Sequence, residues 1–155
     1  MKKSTIKIAL LLSVVMMRSC FPDPVMADSH IRTTSLSEIC NTRTDTVRDV
    51  SEALKHKIYI RDNTPGGNHT GICGIPEGCE VDHRVSLELG GSNDAANLMI
   101  QPYAGICNAH QKDHLENKLH ALVCASAITV KEAQTVIYSD WQAAFKKYVD
   151  PKGCE

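Results

Sequence analysis

Two rhythms of apolar residues run along this 155-residue chain. Leu115, Leu119, Leu122 and Val123 share one face at 3.6-residue spacing and predict a helix over residues 108–124. Val136, Ile137, Trp141, Ala144, Phe145 and Tyr148 predict a last helix. It starts at Thr129, where Thr129-Val130-Lys131-Glu132 has the form of a capping box, and runs to about residue 148, short of Pro151. Val47, Val50, Ala53 and Leu54 predict a further helix over 46–60, with Asp45 placed to cap or charge its start. Between residues 79 and 89 the rhythm changes. Val81, Val85, Leu87 and Leu89 alternate with period two, which predicts a β-hairpin or strand pair. Residues 28–40 are polar and rich in Ser and Thr, a lightly ordered lead-in. Residues 63–68 and 90–94 read as loops from their Gly, Pro and Asn content, and order resumes at Asn97-Leu98. The pattern is that of one small α+β domain without internal repeats.

The first residues do not belong to that domain. Lys2, Lys3 and Lys7 precede an apolar run over 8–17 that is too short to span a bilayer. Val25-Met26-Ala27 then sets small residues at positions −3 and −1 of a cleavage site. This predicts a signal peptide over 1–27 and a domain over 28–155, periplasmic or secreted, with no stable membrane association. A lipoprotein signal ending at Cys20 competes, although Arg18 and Ser19 fit it poorly, and an uncleaved anchor is the third reading.

Cleavage there changes the charge and the cysteine count. The full chain has 17 Lys and Arg against 18 Asp and Glu, a net charge of −1. Removing four basic residues (Lys2, Lys3, Lys7, Arg18) and one acidic residue (Asp23) leaves 13 against 17, or −4. That argues against broad electrostatic wrapping of nucleic acid, because phosphate binding normally draws on a surplus of Lys and Arg. Any such contact must come from a local patch helped by a bound cation. Six cysteines remain: Cys40, Cys73, Cys79, Cys107, Cys124 and Cys154. An even number in a small exported chain predicts disulfides that staple a modest core. Structural zinc is the alternative, but Cys73-x5-Cys79 is not a Cys-x2-Cys knuckle. Cys40 with Cys124 is the expected pair, tying the first helix's lead-in to the end of the 108–124 helix.

Residues 80–116 carry candidate chemistry in a fixed order: Glu-Val-Asp-His at 80–83, Leu-Gly-Gly at 89–91, Asn97-Leu98, Gln101-Pro102, and Asn-Ala-His-Gln-Lys-Asp at 108–113. This ordered set resembles the HNH (His-Asn-His, ββα-metal) endonucleases, whose core is a β-hairpin and a helix clamping one divalent metal ion. The likeness extends over roughly residues 36–148 to small exported bacterial proteins of that kind. It includes Lys-Asp-His-Leu-Glu-Asn-Lys-Leu-His-Ala-Leu-Val-Cys at 112–124 and Glu-Ala-Gln with Asp-Trp between 132 and 141. The fold it implies is a ββα-metal core with flanking helices.

The resemblance assigns His83 as general base, Asp82 as metal ligand, and Asn97 as the brace of the hairpin loop that helps orient His83. Histidine suits a base because its ordinary pKa lies near neutrality. A dication would stabilise the charge that develops as the phosphodiester breaks. On a regular strand, however, Asp82 and His83 point to opposite sides, so a bulge or bend is needed to bring both into one site. The third metal ligand is Asn108 or His110. At about 100° per residue, Asn108 lies within about 20° of Leu115 and Lys112 within about 60°, whereas His110 lies about 140° away and should face outward. Arg84 and Lys112 are the cations expected at the substrate. His110 and His114 form an i, i+4 pair that could also be two solvated surface histidines. Arg84, Ser86 and Met99-Ile100 depart from the residues usual in relatives, which leaves substrate preference open.

The expected activity is hydrolysis of DNA, in preference to RNA, with low sequence specificity. The expected cofactor is one Mg2+, with Mn2+, Zn2+ or Ni2+ as alternatives. The competing reading is a non-catalytic exported module that binds a metal or a partner on the same scaffold.

Overall fold

The structure, a computed structural model, describes residues 26–62 and 77–154. Residues 1–25 of the expected signal peptide, including Cys20, lie outside the described residues, as do the 63–68 loop and Cys73. The architecture is α+β. It comprises α1 (Leu36–Asn41), α2 (Thr44–Val47), α3 (Glu52–Arg61), β1 (Cys79–His83), β2 (Leu98–Pro102), α4 (Ala109–Cys124) and α5 (Val130–Tyr148), with 3-10 turns at Asp28–His30, Leu87–Leu89 and Ala95–Asn97.

The two long helices form where periodicity placed them. Leu115, Leu119 and Val123 of α4 pack against Ala133, Ile137, Ala144 and Phe145 of α5 in one buried cluster. Each fully buried leucine there contributes about 1.5–3 kcal/mol relative to exposure. Thr129 caps α5 by accepting from Glu132 N at 3.0 Å. The Glu132 carboxylate is engaged elsewhere, accepting from Tyr148 Oη at 2.8 Å. α5 is interrupted at Asp140, whose φ/ψ of −158°/87° is not helical. Its carboxylate caps the second segment through Ala143 N at 2.9 Å.

Three expectations need correction. The helix expected over 46–60 is two helices, because residues 48–51 leave helical geometry and Ser51 caps α3 by accepting from Leu54 N at 3.2 Å. Hydroxyl caps compete with continuation of the preceding helix. The 28–40 lead-in is ordered: Ile39 is buried in the main cluster, and Ile31 bridges to Gly91. The second strand lies further on than the alternation suggested. β1 pairs antiparallel with β2, from Cys79↔Pro102 to His83↔Leu98, whereas Val85, Leu87 and Leu89 lie in the intervening loop. All three are buried. Their spacing meets the core from a compact turn and so imitates a strand. That turn is crowded: a Cβ on Gly91 would lie 1.8 Å from Val85 O.

The sheet has a helix on each side. Cys79 and Val81, with Ile100 opposite, pack against Tyr59 of α3. The Arg61 guanidinium holds α3 there by donating to Ala95 O at 2.6 Å and Leu98 O at 2.7 Å. The alternate residues Glu80 and Asp82 face α4. Disulfides join Cys40 to Cys124, as expected, and Cys107 to Cys154, and Cys79 is also disulfide-bonded. They indicate an oxidising or extracellular environment. Among the described residues, no helix is long and apolar enough to cross a membrane.

Candidate active site

β1 delivers Asp82 and His83 at its end. The ladder is regular to its last pair, so the anticipated bulge does not occur, and the period of two separates the side chains. Asp82 turns to α4. Its Oδ2 accepts from Lys112 Nζ at 2.7 Å, while Oδ1 accepts from the His83 backbone N–H at 2.7 Å. The His83 ring turns the other way, 2 % exposed, with Nε2 at 3.1 Å from Asn93 Oδ1. Burial pushes the His83 pKa below its usual value, against the opposing pull of Asn93 and Asp82. Burial therefore favours the neutral form of the ring.

Asn97 sits inside the loop between β1 and β2 and bonds its backbone. Fully buried, it accepts from Val85 N at 2.9 Å through Oδ1 and donates from Nδ2 to Val85 O at 2.9 Å and Ser92 O at 2.8 Å. One carboxamide thus closes the whole 85–97 loop. An Asn97→Ala protein should lose about 2–4 kcal/mol in urea unfolding, since it leaves buried backbone groups of Val85 and Ser92 without partners. A loss below 1 kcal/mol would show that the loop closes without it.

Lys112 corrects its expected role. It is fully buried, and its ammonium donates to Asp82 Oδ2, to His83 O at 2.7 Å, and to Glu116. Every proton of the ammonium is spent internally, so the residue anchors β1 to α4 instead of holding substrate. Burial opposes its charge, but Glu116 and Asp82 more than offset that and hold its pKa above the usual value. Burial pushes Glu116 up to about 8, with Asp82 and Glu88 adding to the rise and Lys112 opposing it.

The two candidates for third ligand have other occupations. Asn108 is the N-cap of α4: its Oδ1 accepts from Gln111 N at 3.2 Å, and its Nδ2 donates to Gly105 O at 3.0 Å. His110 is exposed, as its helical angle predicted, and stacks on Tyr103 with ring centroids 5.6 Å apart. Among the described residues, no three His, Cys, Asp or Glu side chains group as a metal site. Burial and the charge of Asp82 both raise the pKa of Glu80 and of Asp113, and the Tyr103 hydroxyl donates to Glu80 at 3.2 Å. The Asn108 oxygen keeps its second lone pair.

Comparison of the chain with protein-family models, curated proteins and solved structures finds no significant match to any of them.

Arg84 is exposed beside His83, and its backbone N–H donates to Asn97 O at 2.6 Å. Sequence reasoning missed Arg48, Asn93 and Glu116. Arg48 acts electrostatically on His83 and lines a polar groove of about 290 Å³ with Lys55, Tyr59, Glu80 and Tyr103. Glu116 carried a signal, since it stands one helical turn after Lys112 on the same face. Asn93 and Arg48 carried none, because their partners are distant in sequence.

Proposed function

We propose that this protein is an exported, metal-dependent endonuclease with an HNH-like ββα core formed by β1, β2 and α4. The observation that supports it best is the buried Asn97 carboxamide closing the loop that follows His83. It links a motif-ordered Asp-His pair, a motif-ordered asparagine and an antiparallel strand pair leading into a helix. His83, neutral because buried, takes the proton of an attacking water. The new P–O bond forms as the bond to the leaving oxygen breaks. The exposed Arg84 and Arg48 are the cations available to a phosphate, in place of Lys112. A divalent ion held by Asp82 with Asn108 or His110 would supply charge for the phosphorane and leaving oxygen, provided that the end of β1 bends to bring Asp82 to the His83 side, since the regular ladder sends the two side chains to opposite faces. DNA is the proposed substrate in preference to RNA.

The test is cleavage of supercoiled plasmid and of RNA by the oxidised protein in Mg2+, Mn2+, Zn2+ or Ni2+, against EDTA. Nicking that requires a metal ion is expected. Intact substrates under every condition would overturn the reading, and cleavage persisting in EDTA would remove the metal from it.

One observation favours a second reading, a binding module without catalysis. The Lys112 ammonium already neutralises the Asp82 carboxylate that a metal ion would use. Metal binding by calorimetry without hydrolysis, unaffected by His83→Ala, would select it.

A further inference from the structure

Asn93 makes two hydrogen bonds of opposite polarity. Its Nδ2 donates to Val47 O, the carbonyl at the end of α2, at 2.8 Å. A carbonyl can only accept, so this contact fixes which side of the carboxamide carries the NH2. Oδ1 is then the atom at 3.1 Å from His83 Nε2. A carboxamide oxygen also only accepts, so Nε2 must carry the hydrogen. In a neutral imidazole the other nitrogen, Nδ1, then bears the lone pair. Nδ1 has no hydrogen-bond partner among the described residues.

The segment that carries Asn93 is itself anchored. Ser92 donates its backbone N–H to His30 O at 3.0 Å and its hydroxyl to Ser29 O at 2.5 Å. On the other side, Ser92 O accepts from buried Asn97. The amino-terminal segment and α2, which lie outside the ββα elements, therefore set the position of the group facing His83.

We propose that Asn93 is a positioning residue that locks His83 as the Nε2–H tautomer, so that Nδ1 is the atom that accepts the proton. The relevance to catalysis rests on the nuclease reading above. The tautomer assignment does not, because it follows from hydrogen-bond polarity alone.

Long-range proton–nitrogen NMR of 15N-histidine-labelled protein tests it, with His83 assigned from the signal lost in His83→Gln. Where the ring is neutral, the wild-type protein should show a pyrrole-like Nε2 and a pyridine-like Nδ1. Asn93→Ala should give averaged shifts from mixed tautomers, and Asn93→Asp, which keeps an acceptor, should restore the wild-type pattern. Cleavage by Asn93→Ala should fall about 10- to 100-fold in kcat with little change in KM, as for loss of an outer partner that orients a histidine. A wild-type Nδ1–H tautomer, or a tautomer indifferent to Asn93→Ala in a folded protein, would overturn the lock. Wild-type protein that holds the assigned tautomer yet cleaves nothing would leave the lock standing and remove the nuclease reading instead.

Discussion

His83→Ala is expected to slow plasmid cleavage about 100- to 10,000-fold while the protein still folds. Loss of the ring removes the only histidine in the motif-ordered strand, and neither Asp82 nor Asn97 can replace it. The carboxylate of Asp82 is held by Lys112 and the His83 N–H, and the carboxamide of Asn97 is spent on Val85 and Ser92. The substitution also empties a buried space and leaves Asn93 Oδ1 without its partner, at a cost of about 1–3 kcal/mol. Thermal melts must therefore accompany the kinetics. His83→Gln, which retains a polar group in that space, should be nearly as inactive and more stable. Single-turnover rates within threefold of wild type in either variant would show that His83 is not the base.

Lys112→Met should be the most destabilising single change in the site, at about 3–5 kcal/mol, because removing one member of a buried charged cluster strands the others. Asp82 and Glu116 would both lose their cation, and His83 O would lose its donor. The loss should depend on pH with a definite sign. A carboxyl group whose pKa is raised by folding binds its proton more tightly in the native state, so stability falls as pH rises from the unfolded value toward the folded one. For Glu116 in the wild-type protein that window runs from its ordinary value of 4.5 to about 8. In Lys112→Met the opposing attraction is gone, so the decline should extend to higher pH. Urea unfolding at pH 5, 7 and 9 measures both. Glu116→Gln combined with Lys112→Met should recover part of the loss at pH 9 and little at pH 5. A Lys112→Met protein within 1 kcal/mol of wild type at pH 7 would refute the anchoring role.

Where local pattern and tertiary need coincide, the sequence is legible. α4 and α5 follow from apolar spacing because both bury a stripe against each other, and Thr129 marks a start that its hydroxyl does cap. β1 is legible for the same reason, one face on α3 and the other on α4. The Cys40–Cys124 disulfide was accessible from its place between a lead-in and a helix end. The loop residues Val85, Leu87 and Leu89 mislead, because burial forces an apolar choice at each whether or not a strand is present. β2 was hidden in a short stretch whose partner lies nearly twenty residues earlier.

The site divides along the same line. The resemblance of the ordered motif to HNH nucleases marked Asp82, His83, Asn97 and the α4 amino terminus, and helical angle turned His110 outward and Lys112 inward. It could not say that Lys112 would serve as an internal cation, since that depends on the depth at which α4 meets β1. Nor could it find Asn93, which joins Val47, 46 residues earlier, to His83, ten residues earlier, through contacts that only packing sets. Periodicity and capping are short-range properties, fixed by neighbours along the chain. Which buried donor meets which buried acceptor is decided only when the elements close on one another, because a polar group withdrawn from water must take the partner that the fold brings to it.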